Sequence, residues 1–165
     1  MSAYKIENQT DSVSATILHI GEGQIVVSSR IGIESGPPIT LPIGLAKIAK
    51  QFKHNPPTEA EIESAIMLVE DELFRIRHSI LGGSILSTTD ASLRTIARIA
   101  GIPEQPNLTL SLDLVEQTFN RLAAIVQGRP ASMDSIPTTA EFSATLLILR
   151  EFMHHLNFAS IDVRP

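Results

Sequence analysis

Residues 14–20 and 24–30, SATILHI and QIVVSSR, are two β-rich runs separated only by Gly21, Glu22 and Gly23. Glycines flanking one polar residue are hairpin chemistry, so the chain must begin its main sheet with an antiparallel pair. Residues 4–6, YKI, read as a short strand before it. GPPITLPIG, residues 36–44, then breaks the pattern, because the Pro37-Pro38 pair cannot continue a central strand. Beyond it the periodicity turns helical. LAKIAKQF is a short helix, and a long one spans about 58–79. Within that helix Ile62, Ile66, Val69, Leu73 and Ile76 recur every three or four residues as one buried stripe. Thr58 followed by Glu61 is a capping-box pattern.

The second half alternates. SILS (84–87) is a short buried strand, followed by the helix in STTDASLRTIARIAG, which Gly101 stops. IPEQPN is a loop. SLDLVEQTFNRLAAIVQG is a capped helix with Leu112, Val115, Phe119, Leu122 and Val126 inward. RPASMDSIP is a long loop, and a helix from about 139 to 157 turns Phe142, Leu146, Leu149, Met153 and Leu156 inward. ASIDV closes the chain as a strand. Strands, helices, strand, helices, strand is the order of an α/β fold with a mixed sheet and packed helices. The 165 residues suit one domain over 1–165. Aromatic content of 4%, with no Trp, makes the core aliphatic.

Several functions are disfavoured outright. There is no cysteine, which removes disulfides, thiolate metal ligands and a Cys nucleophile. A net charge of -5 without a basic run argues against nucleic acid. MSAYKIENQT lacks an apolar signal core, and no apolar run reaches membrane-spanning length. The expectation is a cytoplasmic protein with no membrane partner. Walker, dinucleotide and nucleophile-elbow motifs do not occur. His154 and His155 are adjacent, so they point to different sides of their helix, and His19, His54 and His78 are scattered. This gives no metal site and no cofactor. Glu70, Asp71 and Glu72 read as a solvated face. What remains is STTDAS. A helix N-terminus can hold phosphate, and Thr88, Thr89 and Ser92 could add hydroxyls. The plainer reading is that Thr89 or Asp90 caps the helix.

The stretches LPIGLAKIAKQFKHNPPTEAEIESAI, LRTIARIAG, LTLSLDLVEQTFNRLAAI and ILREFMHHLNFASIDV resemble, in that order, segments of the exopolyphosphatase and guanosine pentaphosphate phosphohydrolase (Ppx/GppA) family. The resemblance covers nearly the whole chain. It implies a single ribonuclease-H-like lobe of the actin-like ATPase superfamily, with a mixed five-stranded sheet flanked by helices. In the family this is the second of two lobes, and polyphosphate or a guanosine polyphosphate binds between them. The carboxylate that activates water sits in the first lobe, for which a chain of this length has no room.

The phosphate loops depart from the family pattern. The second phosphate loop falls on ENQTDSVS, where Glu7 stands for the leading Asp and Ser12 matches the serine. Gln9, Thr10 and Asp11 replace three glycines that let backbone approach phosphate. The family's glycine-threonine loop falls on Thr88, Thr89, Asp90, Ala91 and Ser92, again without glycine, and Thr145 stands where the family has a further glycine. The ligand-binding remnant is therefore Glu7, Thr10, Asp11, Ser12, Thr88, Thr89, Asp90, Ser92 and Thr145, with no catalytic residue.

Three functions follow from this. The first is a non-catalytic binding or regulatory module, a pseudoenzyme, that pairs with itself or with a protein partner. Its contact face is the surface the first lobe covers in the family, with Ile33, Ile39, Ile43 and Met133 as contributors. The second is the phosphate-binding subunit of a phosphoanhydride hydrolase whose first lobe is supplied separately. The third is a nucleotide sensor using the polar turns.

Overall fold

A computed structural model describes residues 12–165, so the strand expected at 4–6 lies outside the described residues. β1 (Ser14–Ile20) and β2 (Ile25–Ile31) form the expected antiparallel hairpin, with Leu18 opposite Val27 and Ile20 opposite Ile25. The turn closes through Gly21 N–H donating to the Gln24 carbonyl at 3.0 Å. Two short strands, β3 (Glu34–Ser35) and β4 (Ile39–Leu41), pair with the outer edge of β2. β5 (Ile85–Thr88) runs parallel to β1, and β7 (Ser160–Val163) runs parallel to β5. β6 (Leu108–Ser111) closes the far edge antiparallel to β7. The order is β3-β2-β1-β5-β7-β6, with β4 also on β2.

The sheet thus has seven strands where five are expected, and the extra ones are short and peripheral. β4 forms inside GPPITLPIG because Pro37, Pro38 and Pro42 flank Ile39–Leu41 without entering it. At an edge, only one side of the strand needs its backbone partners. β6 is a four-residue alternation, with Leu108 and Leu110 buried and Thr109 out. Its last residue, Ser111, also caps the next helix by accepting from Leu114 N–H at 3.2 Å, so strand and cap share one short run.

The helices are α1 (Leu45–Ala49), α2 (Glu59–Ile76), α3 (Ala91–Ile99), α4 (Leu112–Val126) and α5 (Ala140–His155). The Thr58–Glu61 capping box forms in both directions. Those bonds from Thr58, together with His54 and the Lys53 N–H, lower the Glu61 carboxyl to about 2. Gly101 ends α3 at φ +97, and Ile102 N–H then reaches back to the Ala97 carbonyl. α5 touches each of the other four helices. It is buried from Phe142 to Met153 except at Arg150. At its end Phe152 and Phe158 stack at 5.9 Å.

The helices gather on one face of the sheet. Leu18, Ile20, Ile25, Val27, Leu86, Leu110, Ile161 and Val163 point into the core, each 7% exposed or less. The alternate positions Ile17, His19, Arg30, Ile85 and Thr109 are exposed. Among the described residues no helix covers that second face, so the flanking is one-sided. Among the same residues no helix is long and apolar enough to cross a membrane.

The loop after α4 is tied down by a clamp. Arg121 of α4 donates to both carboxylate oxygens of Asp134, the shortest bond being 2.6 Å, and to the Ile99 carbonyl. The Arg121 bonds hold the Asp134 carboxyl at about 2, below its ordinary 3.8. A carboxyl depressed on folding stabilises above its unfolded pKa and loses that contribution as pH falls through the folded one. The stability gap between the wild type and Asp134→Asn should therefore be about 1–2 kcal/mol at neutral pH. It should close between pH 3.8 and about 2. Urea denaturation of both proteins across that range checks this; a gap independent of pH would refute the clamp.

Candidate functional site

β5 ends at Thr88, and α3 begins at Ala91, so STTDAS forms the β5–α3 turn. Thr88 is 1% exposed, and its hydroxyl accepts from the Asp90 N–H at 3.0 Å. Asp90 holds the N-cap position of α3, but its side chain makes no capping bond. The carboxylate turns to the end of β1 instead. One oxygen lies 2.6 Å from His19 Nδ1, and the other accepts from the Ile20 N–H at 2.7 Å. This corrects the capping expectation for Asp90. The reason is topological: β1 and β5 are parallel neighbours, so the turn after β5 lies beside the end of β1.

The Asp90 link is structural by this geometry. Asp90→Ala leaves the Ile20 N–H without its acceptor where Ile20 is 7% exposed. The expected loss is about 1.5–3 kcal/mol, typical of a charged hydrogen bond and an orphaned buried donor. Asp90→Asn keeps an acceptor and should lose less than half of that. A urea titration in which both variants match the wild type would refute the link.

Three of the expected site residues meet. Ser12, Thr88 and Thr89 line one open cavity of about 800 Å³ on the uncovered face of the sheet. Arg30 and Arg164 border the same cavity, as do Ile17, Ile31, Ile33, Glu34 and Ile85. The two arginines were not among the residues singled out in the sequence, because they come from β2 and the chain end, far from either loop. Ser92 is exposed in the first turn of α3 and is not in the cavity lining. Thr145 is 4% exposed inside α5, where its hydroxyl donates to the Glu141 carbonyl at 2.8 Å. Glu7, Thr10 and Asp11 lie outside the described residues.

The expected apolar contributors divide. Ile33 is 98% exposed and Met133 is 66% exposed. Ile43 belongs to the core at 1% exposure, and Ile39 is packed partly against that core. Both were expected on a contact face; the burial of β4 and of its exit into α1 removes them from it. The polar run at 70–72 is also not uniformly solvated. The Glu72 side chain is 13% exposed, with one oxygen bonded by Arg75. His154 and His155 meet different helices, His154 Nδ1 lying 3.7 Å from Glu116 and His155 Nε2 3.0 Å from Glu70, but their rings still touch edge to face with centroids 5.3 Å apart.

No family model matches the chain, and no curated protein matches its sequence. Solved structures do match in fold. The type II variant of the Aquifex aeolicus Ppx/GppA phosphatase superposes with a TM-score of 0.75 at 17% identity, over 94% of this chain and 54% of that one. An exopolyphosphatase from Cytophaga hutchinsonii gives 0.69 at 16% identity, over 93% and 54%. An exopolyphosphatase-like protein gives 0.70 at 13% identity, over 98% and 59%. The chain spans a little over half the length of these structures. The chain therefore shares the fold of these Ppx/GppA-type structures, over a little more than half of their length.

Proposed function

We propose that this chain is a non-catalytic binding or regulatory module, one Ppx/GppA-type lobe over residues 1–165, that acts in the cytoplasm by pairing with a second copy of itself. The observation that carries the reading is the uncovered face of the sheet. Val13, Ile17, Ile31, Ile33 and Ile85 are all at least 37% exposed, and all five line the open cavity of about 800 Å³ there. A contiguous apolar patch of this kind on a small protein marks a contact surface. A second copy suits it because Arg30, Arg164 and Glu34 border the same cavity. A two-fold pairing sets the same patch against itself, so each copy can offer its acid to the other's arginine. The loss of loop glycines, and the engagement of the Asp90 carboxylate by His19 and Ile20, both favour binding over catalysis.

A second reading keeps the cavity as an anion site, supported by Ser12 and Thr89 standing with two arginines. The chain would then be the phosphate-binding subunit of a hydrolase completed by another polypeptide. Light scattering during size exclusion separates the two. A two-chain particle supports self-pairing. A strict monomer at every concentration sinks it, and a monomer whose Tm rises with inorganic tripolyphosphate supports the anion site.

A further inference from the structure

We infer that Glu70, Glu151 and His155 form a binding site for a zinc-type divalent cation, on the helical side of the molecule and apart from the open sheet face. Glu151 and His155 lie one turn apart on α5, and Glu70 comes from the middle of α2. Two carboxylate oxygens from different helices converge on one imidazole nitrogen. Glu70 Oε1 lies 3.0 Å from His155 Nε2, and Glu151 Oε2 lies 3.1 Å from the same atom. All three donor atoms lie within 4.8 Å of one another. In a tetrahedral zinc site with bonds of about 2.0–2.1 Å, neighbouring donor atoms are about 3.3 Å apart. The two short edges here are close to that spacing, so a cation needs only small side-chain movements to bind.

The surroundings support a built site rather than a chance surface cluster. Glu151 is 2% exposed, and a carboxyl group so far from water needs hydrogen-bond partners. Arg150 bonds its other oxygen, which leaves Oε2 aimed at His155. Arg150 is itself held by Glu116 from α4 at 2.9 Å. A charged outer partner of this kind fixes a ligating carboxylate in place. Access is open on the other side. His155 is 39% exposed and Glu70 is 42% exposed. His155 also lines a cavity of about 630 Å³ with His78, Gly82 and Ser160.

One imidazole with two carboxylates is a donor set for zinc or cobalt rather than calcium or magnesium, which take oxygen alone. Three protein ligands leave a fourth position for water or for a further group.

The test is calorimetric titration of the full chain with Zn²⁺, repeated with His155→Asn and Glu70→Gln. Both replaced side chains are substantially exposed, so folding is retained, and far-ultraviolet circular dichroism verifies it. A single saturable site is expected, weakened at least about tenfold by either substitution. His154→Asn, which alters the neighbouring imidazole, should leave affinity unchanged. Co²⁺ should give visible absorption bands of four-coordinate geometry that disappear in His155→Asn. Absence of saturable binding, or binding that either substitution leaves intact, overturns the site.

Discussion

Replacing Ile33 and Ile85 together by aspartate is expected to turn the pair proposed above into a monomer that keeps the wild-type fold. Ile33 is 98% exposed and Ile85 is 46% exposed, so neither contributes much to the core. Ile33 stands at the tip of the β2–β3 turn beside Gly32, whose φ of +60 sets the reversal. That turn needs the glycine, but nothing in its backbone requires an apolar neighbour, and turn tips are normally polar. Burying such a side chain contributes about 1.5–3 kcal/mol. A two-fold interface loses each side chain twice and must also desolvate four carboxylates. Dissociation should therefore become easier by at least about a thousandfold. Light scattering over a range of concentrations reads this directly. Phe74→Asp is the control. Phe74 is also exposed, at 62%, but it lies on α2, on the helical side, beneath Arg77. If Phe74→Asp dissociates the particle and the double variant does not, the contact is on the helices and the open sheet face is not the interface.

The second large effect is a stability loss at Gly44. A Cβ placed there would lie 2.4 Å from Gln24 N, 2.4 Å from Glu22 O and 2.5 Å from Gly23 C. All three are backbone atoms of the β1–β2 turn, so no side chain can rotate away. The same junction holds the start of α1: Leu45 N–H donates to the Gly21 carbonyl at 2.9 Å, and Ala46 N–H donates to the Glu22 carbonyl at 3.0 Å. Two of the otherwise orphaned donors of that helix are thus satisfied by the hairpin. Gly44→Ala must open this junction and disturb Ile43 and Ile48, which are 1% and 0% exposed. The expected loss is more than about 3 kcal/mol, at the severe end for a single substitution. Gly23→Ala is the matched control, since a Cβ there meets nothing within 4 Å. Urea unfolding of the pair checks it, and a Gly44→Ala protein within about 1 kcal/mol of the wild type would contradict the close approach.

Gly44 also shows how far a sequence can be read. LPIG at 41–44 marks the resemblance to the Ppx/GppA family, yet nothing local says why the last position is glycine. The reason lies in backbone of residues 22–24, brought against it by the pairing of β4 with β2. The candidate site behaves the same way. Hydroxyls at Thr88 and Thr89 were visible as a helix-start cluster, because caps and turns are written in four or five residues. The meeting of that cluster with Ser12, Arg30 and Arg164 was not, because it follows from strand order.

The sequence by itself determined the elements whose signals repeat over short distances. The hairpin about Gly21 and Gly23, the capping box at Thr58, the apolar stripes of α2 and α5 and the stop at Gly101 are each written within one continuous stretch of chain. Their order also limits the fold to a mixed sheet with packed helices. Tertiary structure alone decided the rest. Asp90 faces His19 across 71 residues, and His155 meets Glu70 across 85. The side of the sheet left bare was decided by where five helices chose to pack. Such contacts carry no periodic signature, because each partner is one residue in a pattern that would be satisfied equally well by water until the sheet order and helix packing bring the two together.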